Sequence, residues 1–161
     1  MRILGVDPGY HRTGLAVIEL AGNKITLVDS RLIETSPSEE LAVRLLQIYN
    51  ELENEIILFN PVSVAVEELF FAKNVKTAIS VAHARGVVLL AAAKNGLTIS
   101  EYKPAVIKLA LTSNGNATKS QVLFMVERLL DRKFEKRCDD EIDAIAAAIC
   151  HAFKFRISKG E

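Results

Sequence analysis

The chain lacks tryptophan, and its 161 residues include only two cysteines. Two thiols, Cys138 and Cys150, are too few for a disulfide scaffold, which favours a reducing compartment. No apolar run reaches the roughly 20 residues that a membrane-spanning helix needs. The first residues lead directly into a predicted strand without a basic leader, so we expect no signal peptide. These absences predict a cytoplasmic protein that makes no membrane contact.

The chain also lacks net charge, since 20 basic and 20 acidic residues cancel and the pI is about 6.8. Taken alone, neutrality argues against a nucleic-acid-binding protein. The charges are nevertheless unevenly distributed along the chain. Residues 34–55 hold six acids and one base, whereas residues 71–137 hold twelve bases and four acids. One face can therefore be basic, although solvated helix surfaces explain the same pattern equally well.

Hydrophobic periodicity and turn residues predict one α/β domain over residues 1–161, because no repeat, linker or low-complexity tract interrupts them. A short connection at residues 21–23 predicts a hairpin between the second and third strands. Ser38 is predicted to cap the first helix, and Thr118 with Gln121 to form a capping box. We predict strands at Ile3–Asp7, Gly14–Leu20, Ile25–Ile33, Val62–Val66 and Leu97–Tyr102, and helices at Ser38–Phe59, Val75–Lys94, Pro104–Leu111, Thr118–Leu130 and Cys138–Phe155.

The predicted helix Val75–Lys94 is apolar on nearly every side, and such a helix needs cover all round. One side can lie on the sheet. The other side can lie on a second copy of the chain, where Ala78, Ala82 and Gly86 would permit a close approach. We therefore predict a homodimer, with burial under the chain's other helices as the alternative.

Four acidic residues are the candidate catalytic and metal-binding groups: Asp7, Glu67, Asp140 and Asp143. The first two end apolar strands, where a buried carboxylate is costly unless a cation or donor meets it. The other two are three residues apart on one face of an apolar helix. If the fold gathers these side chains, their oxygens suit Mg²⁺ or Mn²⁺.

Each of these acids also has a purely structural interpretation. Asp7-Pro8-Gly9 is a typical turn sequence, and acids at a helix N-terminus offset the helix dipole. Sugar kinases and actin-like ATPases also place an aspartate at the end of a first strand. A same-face pair followed by small residues favours metal ligation over capping for Asp140 and Asp143.

Candidate DNA contacts follow the second acidic strand tip and surround a later loop. Phe70 and Phe71 precede Lys73 and Lys76, a combination that suits base stacking beside phosphate contacts. The alternative is that both rings fill the core, and we expect Phe71 inside and Phe70 exposed. Lysines also flank the loop at residues 112–117, which leads into a helix N-terminus suited to phosphate: Lys103, Lys108 and Lys119. His11, in the first hairpin, is interpreted as either a phosphate contact or a surface residue.

Nearly end to end, the chain resembles the RuvC family, bacterial Holliday-junction resolvases of the ribonuclease-H-like superfamily. The opening segment is shared with other members of that superfamily, whereas the second and last segments are more specific. The resemblance rests on residues 3–9, 66–74, 84–86, 115–122 and 140–146.

The resemblance implies a homodimeric, Mg²⁺-dependent endonuclease with a ribonuclease-H-like mixed five-stranded sheet, three antiparallel strands plus two parallel. The family's carboxylates correspond to Asp7, Glu67, Asp140 and Asp143, and its DNA contacts to Phe70, Lys108 and Lys119. It further implies two Mg²⁺ ions per site, with Mn²⁺ as a substitute, four-way junction DNA as substrate, and a branch-migration motor as partner in recombination and repair.

Two departures from the family pattern bear on these expectations. Ser113 stands where the family loop usually has glycine, which puts the loop path in question. Glu141-Ile142 replaces paired small residues, a change that should leave the flanking ligands undisturbed. Three rival functions remain: a related nuclease that matures ribosomal RNA, a junction-binding protein without catalysis, and a phosphotransfer enzyme of the actin-like fold.

Overall fold

The computed structural model describes residues 1–68, 75–135 and 138–159, and within them strands and helices follow the predicted order. The elements are β1 (Arg2–Asp7), β2 (Arg12–Ala21), β3 (Lys24–Glu34), α1 (Leu41–Phe59), β4 (Ser63–Glu67), α2 (Val75–Lys94), β5 (Thr98–Tyr102), α3 (Pro104–Thr112), α4 (Lys119–Leu130) and α5 (Asp139–Lys159).

A single mixed sheet has the strand order β3-β2-β1-β4-β5. The first three strands form an antiparallel meander, and β4 and β5 run parallel to β1. The predicted sheet of three antiparallel and two parallel strands is therefore confirmed, and the first and fourth strands are neighbours in it. The β2–β3 pairing shifts register between Val17 and Ile18, which marks a bulge.

Helices cover both faces of the sheet, and the strand residues alternate between two buried clusters. On one face, Leu4 and Val6 of β1 pack in a cluster with α1 and α2. On the other face, Ile3 and Ala65 pack with α5, beside which α3 and α4 lie. Because side chains alternate along a strand, the cluster to which one residue of β1 belongs also fixes the face to which its neighbours point.

Most predicted helix ends are close to the observed ones, but the predicted start of α1 is wrong. The helix begins at Leu41 after Glu40, whose side chain makes no capping bond. Ser38 instead bonds to Ser36, with 2.7 Å between the hydroxyl oxygens. A local serine turn therefore takes the group that was expected to cap the helix.

Ser113, which replaces the usual glycine, lies in the connection between α3 and α4. It is the C-cap residue of α3, and its backbone is left-handed, with φ of 58°. Serine therefore follows the path that glycine favours, at some conformational cost. The predicted capping box of Thr118 and Gln121 is confirmed at the start of α4. Across the described residues, every helix is too short or too polar to cross a bilayer.

Candidate active site

Asp7 and Glu67 end neighbouring parallel strands and point to the same face of the sheet. β1 and β4 pair in a register that puts Val6 beside Val66, so the two acids that follow are neighbours. Both valines face α1 and α2. Because side chains alternate along a strand, the two carboxylates face the opposite side, where α5 lies.

Two glycines let α5 lie directly on the sheet. A Cβ at Gly14 would come within 1.9 Å of the Asp140 carbonyl oxygen, and a Cβ at Gly5 within 2.1 Å of the Ala144 carbonyl oxygen. Gly14 is also the cross-strand partner of Asp7. The absence of a side chain at this position therefore brings the first turn of α5 against the strand pair that carries Asp7.

The carboxylates interact strongly enough to disturb each other's ionisation. Burial, with the neighbouring charges of Asp143 and Asp140, raises the pKa of Asp7 from 3.8 to about 7. Burial, with the charges of Asp7 and Asp143, raises the pKa of Glu67 from 4.5 to about 8. Burial also raises the pKa of Asp143. The structure thus brings all four predicted acids into one electrostatic cluster, in which ionisation of Asp7, Glu67 and Asp143 is disfavoured.

Two basic side chains partly neutralise this cluster. Arg12, at the start of β2, forms an ion pair with Asp140 and also lowers the pKa of Asp7. Lys119, in the first turn of α4, lies 3.4 Å from a carboxylate oxygen of Asp143 and 3.1 Å from one of Asp139. Both cations are partly exposed, so solvent screens their contribution.

A cleft of about 220 Å³ opens beside the acids, and Glu67, Lys108, Lys119 and Asp143 lie along it. The charges of Lys119 and Lys108 lower the pKa of Glu67, against the larger effect of burial. Two of the predicted phosphate contacts therefore lie next to the acids. The cleft combines a negative floor with positive walls, which suits a phosphodiester held by a cation.

The donor set fits a hard divalent cation by its chemistry. Four carboxylates offer the oxygen ligands that Mg²⁺ and Mn²⁺ prefer, and a divalent cation would relieve the repulsion that helps to raise the pKa values of Asp7 and Glu67. Among residues 1–68, 75–135 and 138–159, no three acidic, histidine or cysteine side chains are arranged to hold a metal as they stand. The ion pairs of Arg12 and Lys119 occupy part of the acids' coordination capacity, and side-chain rotation would free it.

Part of the predicted DNA-contacting segment is not described by the structure. Phe70, Phe71 and Lys73 fall outside the described residues, as does the side chain of Lys76. The predicted roles of this segment in stacking and phosphate binding therefore stay predictions. His151 lies far along α5, where it hydrogen-bonds to Ser63 and Tyr102.

Arg12, Gly5 and Gly14 contribute to the site, although no sequence motif predicted these roles. A glycine inside a strand often marks a close approach of another backbone, which was an available signal for Gly14. Nothing in the sequence pairs Arg12 with Asp140, because 128 positions separate them and only the packing of α5 brings them together.

Comparisons with known proteins match this geometry. A sequence profile described as crossover junction endodeoxyribonuclease RuvC matches residues 3–151. The RuvC of Ruminiclostridium cellulolyticum is 45% identical over 157 residues, which cover 98% of this chain and 95% of that protein. The RuvC structure of Thermus thermophilus is 35% identical with a TM-score of 0.91, covering 98% of this chain and 97% of that one. The same protein in complex with a Holliday junction substrate gives a TM-score of 0.93 at 35% identity, covering 98% and 96%.

Proposed function

This chain belongs to the RuvC family of crossover junction endodeoxyribonucleases, and from that premise we propose that it resolves four-way DNA junctions in recombination and repair. The reaction is phosphodiester hydrolysis, with one nick in each of two symmetry-related strands. The single observation that supports this most strongly is that Asp7 and Glu67, on the α5 face of β1 and β4, have raised pKa values because they are buried beside each other and beside the acids of the first turn of α5. A similar chain from Thermus thermophilus has been solved with a Holliday junction, which supports the choice of substrate.

Magnesium is the proposed cofactor, two ions per site, with Mn²⁺ as a substitute. Asp7, Glu67, Asp140 and Asp143 would hold them. Such ions would supply Lewis acidity, activating the attacking water and stabilising the leaving 3′ oxygen. The high pKa values of Asp7 and Glu67 support this assignment, because a site that repels its own charges gains most from a cation.

The chain's own residues orient the DNA strand. Lys119 and Lys108 would each contact a backbone phosphate from the wall of the cleft, and Lys119 would leave its ion pairs with Asp139 and Asp143 to do so. Gly14 would help to position Asp140, because the absence of a side chain there lets α5 lie against β2. Phe70 would stack on a base at the strand exchange, with Lys73 and Lys76 on adjacent phosphates.

The chain acts as a homodimer in this proposal, because paired cuts in a junction of near two-fold symmetry need two sites. The exposed side of α2 supports it, since apolar and small residues recur there at helical spacing. Ile79 is 54% exposed and Leu90 62%. Between them Ala82 and Gly86 are exposed, and a Cβ at Gly86 would meet nothing within 4 Å. A second α2 could approach closely along this stripe.

Sedimentation tests the dimer. Leu90→Glu should convert a dimer into a monomer, because it places a charge in the α2 stripe in place of its most exposed large apolar side chain. Phe124→Glu is the matched control, since Phe124 is 55% exposed on α4 at the other face of the sheet and should leave the dimer intact. A wild-type chain that sediments as a monomer at micromolar concentration would refute the dimer.

A branch-migration motor as a partner and the cytoplasm as the place of action complete the proposal. Both rest on family resemblance, and free thiols at Cys138 and Cys150 are consistent with a reducing compartment.

The function is tested by incubating the chain with a synthetic four-way junction or a linear duplex of the same sequence, with and without Mg²⁺. We expect paired nicks in the junction alone, and only when Mg²⁺ is present. Tight junction binding without nicking in Mg²⁺ or Mn²⁺ would identify a binding protein without catalysis. Preferential cutting of structured RNA would identify the related nuclease that matures ribosomal RNA.

A further inference from the structure

The turn between β1 and β2 is held by a buried cation on the far side of the sheet. Arg44 of α1 is only 6% exposed. Its Nε donates to Thr35 Oγ1 at 2.9 Å, and one terminal nitrogen donates to the Tyr10 carbonyl oxygen at 2.8 Å. The same nitrogen lies 2.6 Å from His11 Nδ1. In the described structure these three hydrogen bonds are all accepted by uncharged groups. None of these partners neutralises the positive charge of the guanidinium, which lies beside the turn.

This arrangement assigns the tautomer of His11. A guanidinium can only donate hydrogen bonds, so His11 Nδ1 must accept and carries no proton. A neutral imidazole with a bare Nδ1 holds its proton on Nε2. His11 is exposed, its ring lies 4.3 Å from the Tyr10 ring, and its backbone carbonyl accepts a bond from the Thr35 amide. The result is a rigid N–H donor on the surface with a buried positive charge behind it.

The donor lies at the same end of the sheet as the carboxylates. Only three residues separate His11 from Asp7, and Arg12 already pairs with Asp140. Tyr10 packs with the α1–α2 cluster, whereas Lys108 and Lys119 belong to helices on the α5 face. His11 and the two lysines therefore approach the acids from opposite sides of the sheet.

We propose that His11 binds a backbone phosphate of the junction through Nε2–H, on the side of the cleaved position opposite to the phosphates held by Lys108 and Lys119. This inference rests on the proposed function and adds a subsite to it. Arg44 is a positioning residue here, because it fixes the ring and attracts the anion without reaching the DNA. The contact is a neutral donor on a charged acceptor, which gives it a signature that a lysine contact does not share.

The tautomer is tested by ¹⁵N NMR of the histidine side chains. The chain has three histidines, so the His11 signals are identified as those missing from the spectrum of His11→Gln. The spectrum should show His11 protonated on Nε2 alone near pH 8. Protonation of Nδ1 instead would overturn the inference, because Arg44 could then not be the donor that fixes the ring.

Phosphate binding is tested with junctions in which one phosphate at a time is replaced by a methylphosphonate, in EDTA so that no strand is cut. His11→Ala should weaken binding of the unmodified junction roughly tenfold. One methylphosphonate near the cleaved position should weaken wild type yet cost His11→Ala nothing further. His11→Gln, whose amide can replace the Nε2 donor, should bind more tightly than His11→Ala. Lys24→Ala, at the opposite end of the sheet, is the control and should bind as wild type does.

Salt dependence separates this contact from a cationic one. Lys119→Ala should reduce the slope of log affinity against log salt by about 0.9, because one phosphate is no longer neutralised. His11→Ala should leave that slope unchanged. If wild type cuts junctions while His11→Ala binds them as tightly as wild type, the inference fails and the proposed function stands. A wild type that neither binds nor cuts junctions removes both.

Discussion

The segment of α5 between its first turn and His151 lies on the sheet, and the buried polar groups at the two ends of this segment differ in charge and in hydrogen bonding. At the first turn, Asp140 and Asp143 lie beside Asp7 and Glu67, and burial together with the neighbouring negative charges raises the pKa values of Asp7 and Glu67. Three turns later, His151 is 6% exposed, and each of its ring nitrogens has a hydrogen-bonding partner.

The distal network is complete within the fold. Tyr102 Oη lies 2.7 Å from His151 Nδ1, and Ser63 Oγ lies 3.1 Å from Nε2. Burial lowers the pKa of His151, so the ring stays neutral and no charge is left without a partner. One helix therefore carries a stabilising polar network at one end and a destabilised cluster at the other, and the destabilised end is where we propose the active site.

The largest expected effect comes from Asp7→Asn, which removes a carboxylate proposed to hold the metal. Junction cleavage should fall at least about 100-fold, since loss of a residue that only supports a metal ligand already costs about 10–100-fold. Junction binding should persist. Thermal stability at pH 8 should rise by roughly a few degrees, because the wild-type carboxylate, whose pKa is about 7, is ionised there in a repulsive environment.

Asp139→Asn is the matched control for that change. Asp139 lies beside Asp140 in the same helical turn, but its side chain is 69% exposed. The Asp139→Asn variant should cleave junctions at a rate within a few-fold of wild type, and its thermal stability should not increase. Retained cleavage by Asp7→Asn would remove the ligand assignment, and reduced stability would remove the claim that this end of α5 is electrostatically destabilised.

Gly14→Ala should disturb the same end by packing rather than by charge. The added Cβ would overlap the Asp140 carbonyl oxygen, so the first turn of α5 must move away from β2. We expect a loss of about 1–3 kcal/mol in the free energy of unfolding, and reduced cleavage because Asp140 moves with the turn. Urea unfolding and the junction assay measure the two effects. Wild-type stability in this variant would show that α5 does not approach the sheet as closely as the structure indicates.

Strand tips were predictable from the sequence because hydrophobic runs end at them. Asp7 and Glu67 follow apolar stretches, and the parallel pairing of β1 with β4 then makes them neighbours. The role of Gly14 was not predictable in the same way, since it depends on which backbone atom of α5 approaches β2. Arg12 was missed for the same reason, because its partner comes from the other end of the chain.

The misplaced start of α1 has a different cause. Ser38 has the right residue type for an N-cap, but Ser36 offers its hydroxyl a partner two residues away. Two local solutions competed for one side chain, and residue preferences alone do not rank them. By contrast, Thr118 and Gln121 satisfy each other reciprocally, and there the prediction was correct to the residue.

The two ends of α5 should also respond to pH in opposite directions. In EDTA, the raised pKa values of Asp7 and Glu67, about 7 and 8, mean that the folded chain holds protons that the unfolded chain releases near pH 4. Stability should therefore fall as pH rises from about 4 to 8 and then level off. The lowered pKa of His151 acts in the other direction, and its contribution is lost as pH falls below the ordinary value of 6.5.

Urea unfolding from pH 5 to 9 separates the two contributions. Asp7→Asn should flatten the decline toward alkaline pH, and His151→Gln should flatten the decline toward acid pH. Mg²⁺ should restore stability at pH 8 in wild type but not in Asp7→Asn, since the ion needs that carboxylate. Parallel curves for all three chains would mean that these groups do not carry the pH dependence.

The smallest expected effect on cleavage comes from Tyr102→Phe, which tests whether the distal end of α5 serves stability alone. The change removes the hydroxyl at His151 Nδ1 and keeps the ring, over which the Lys154 ammonium lies at 4.5 Å from the centroid. A buried ring nitrogen then lacks a partner, so the free energy of unfolding should fall by about 1–3 kcal/mol, toward the lower limit if water enters. Cleavage measured well below the unfolding temperature should equal that of wild type, although Tyr102 pairs with Glu67 across β4 and β5. A loss of cleavage without a loss of stability would mean that the network positions Glu67, and the contrast between the two ends of the helix would then fail.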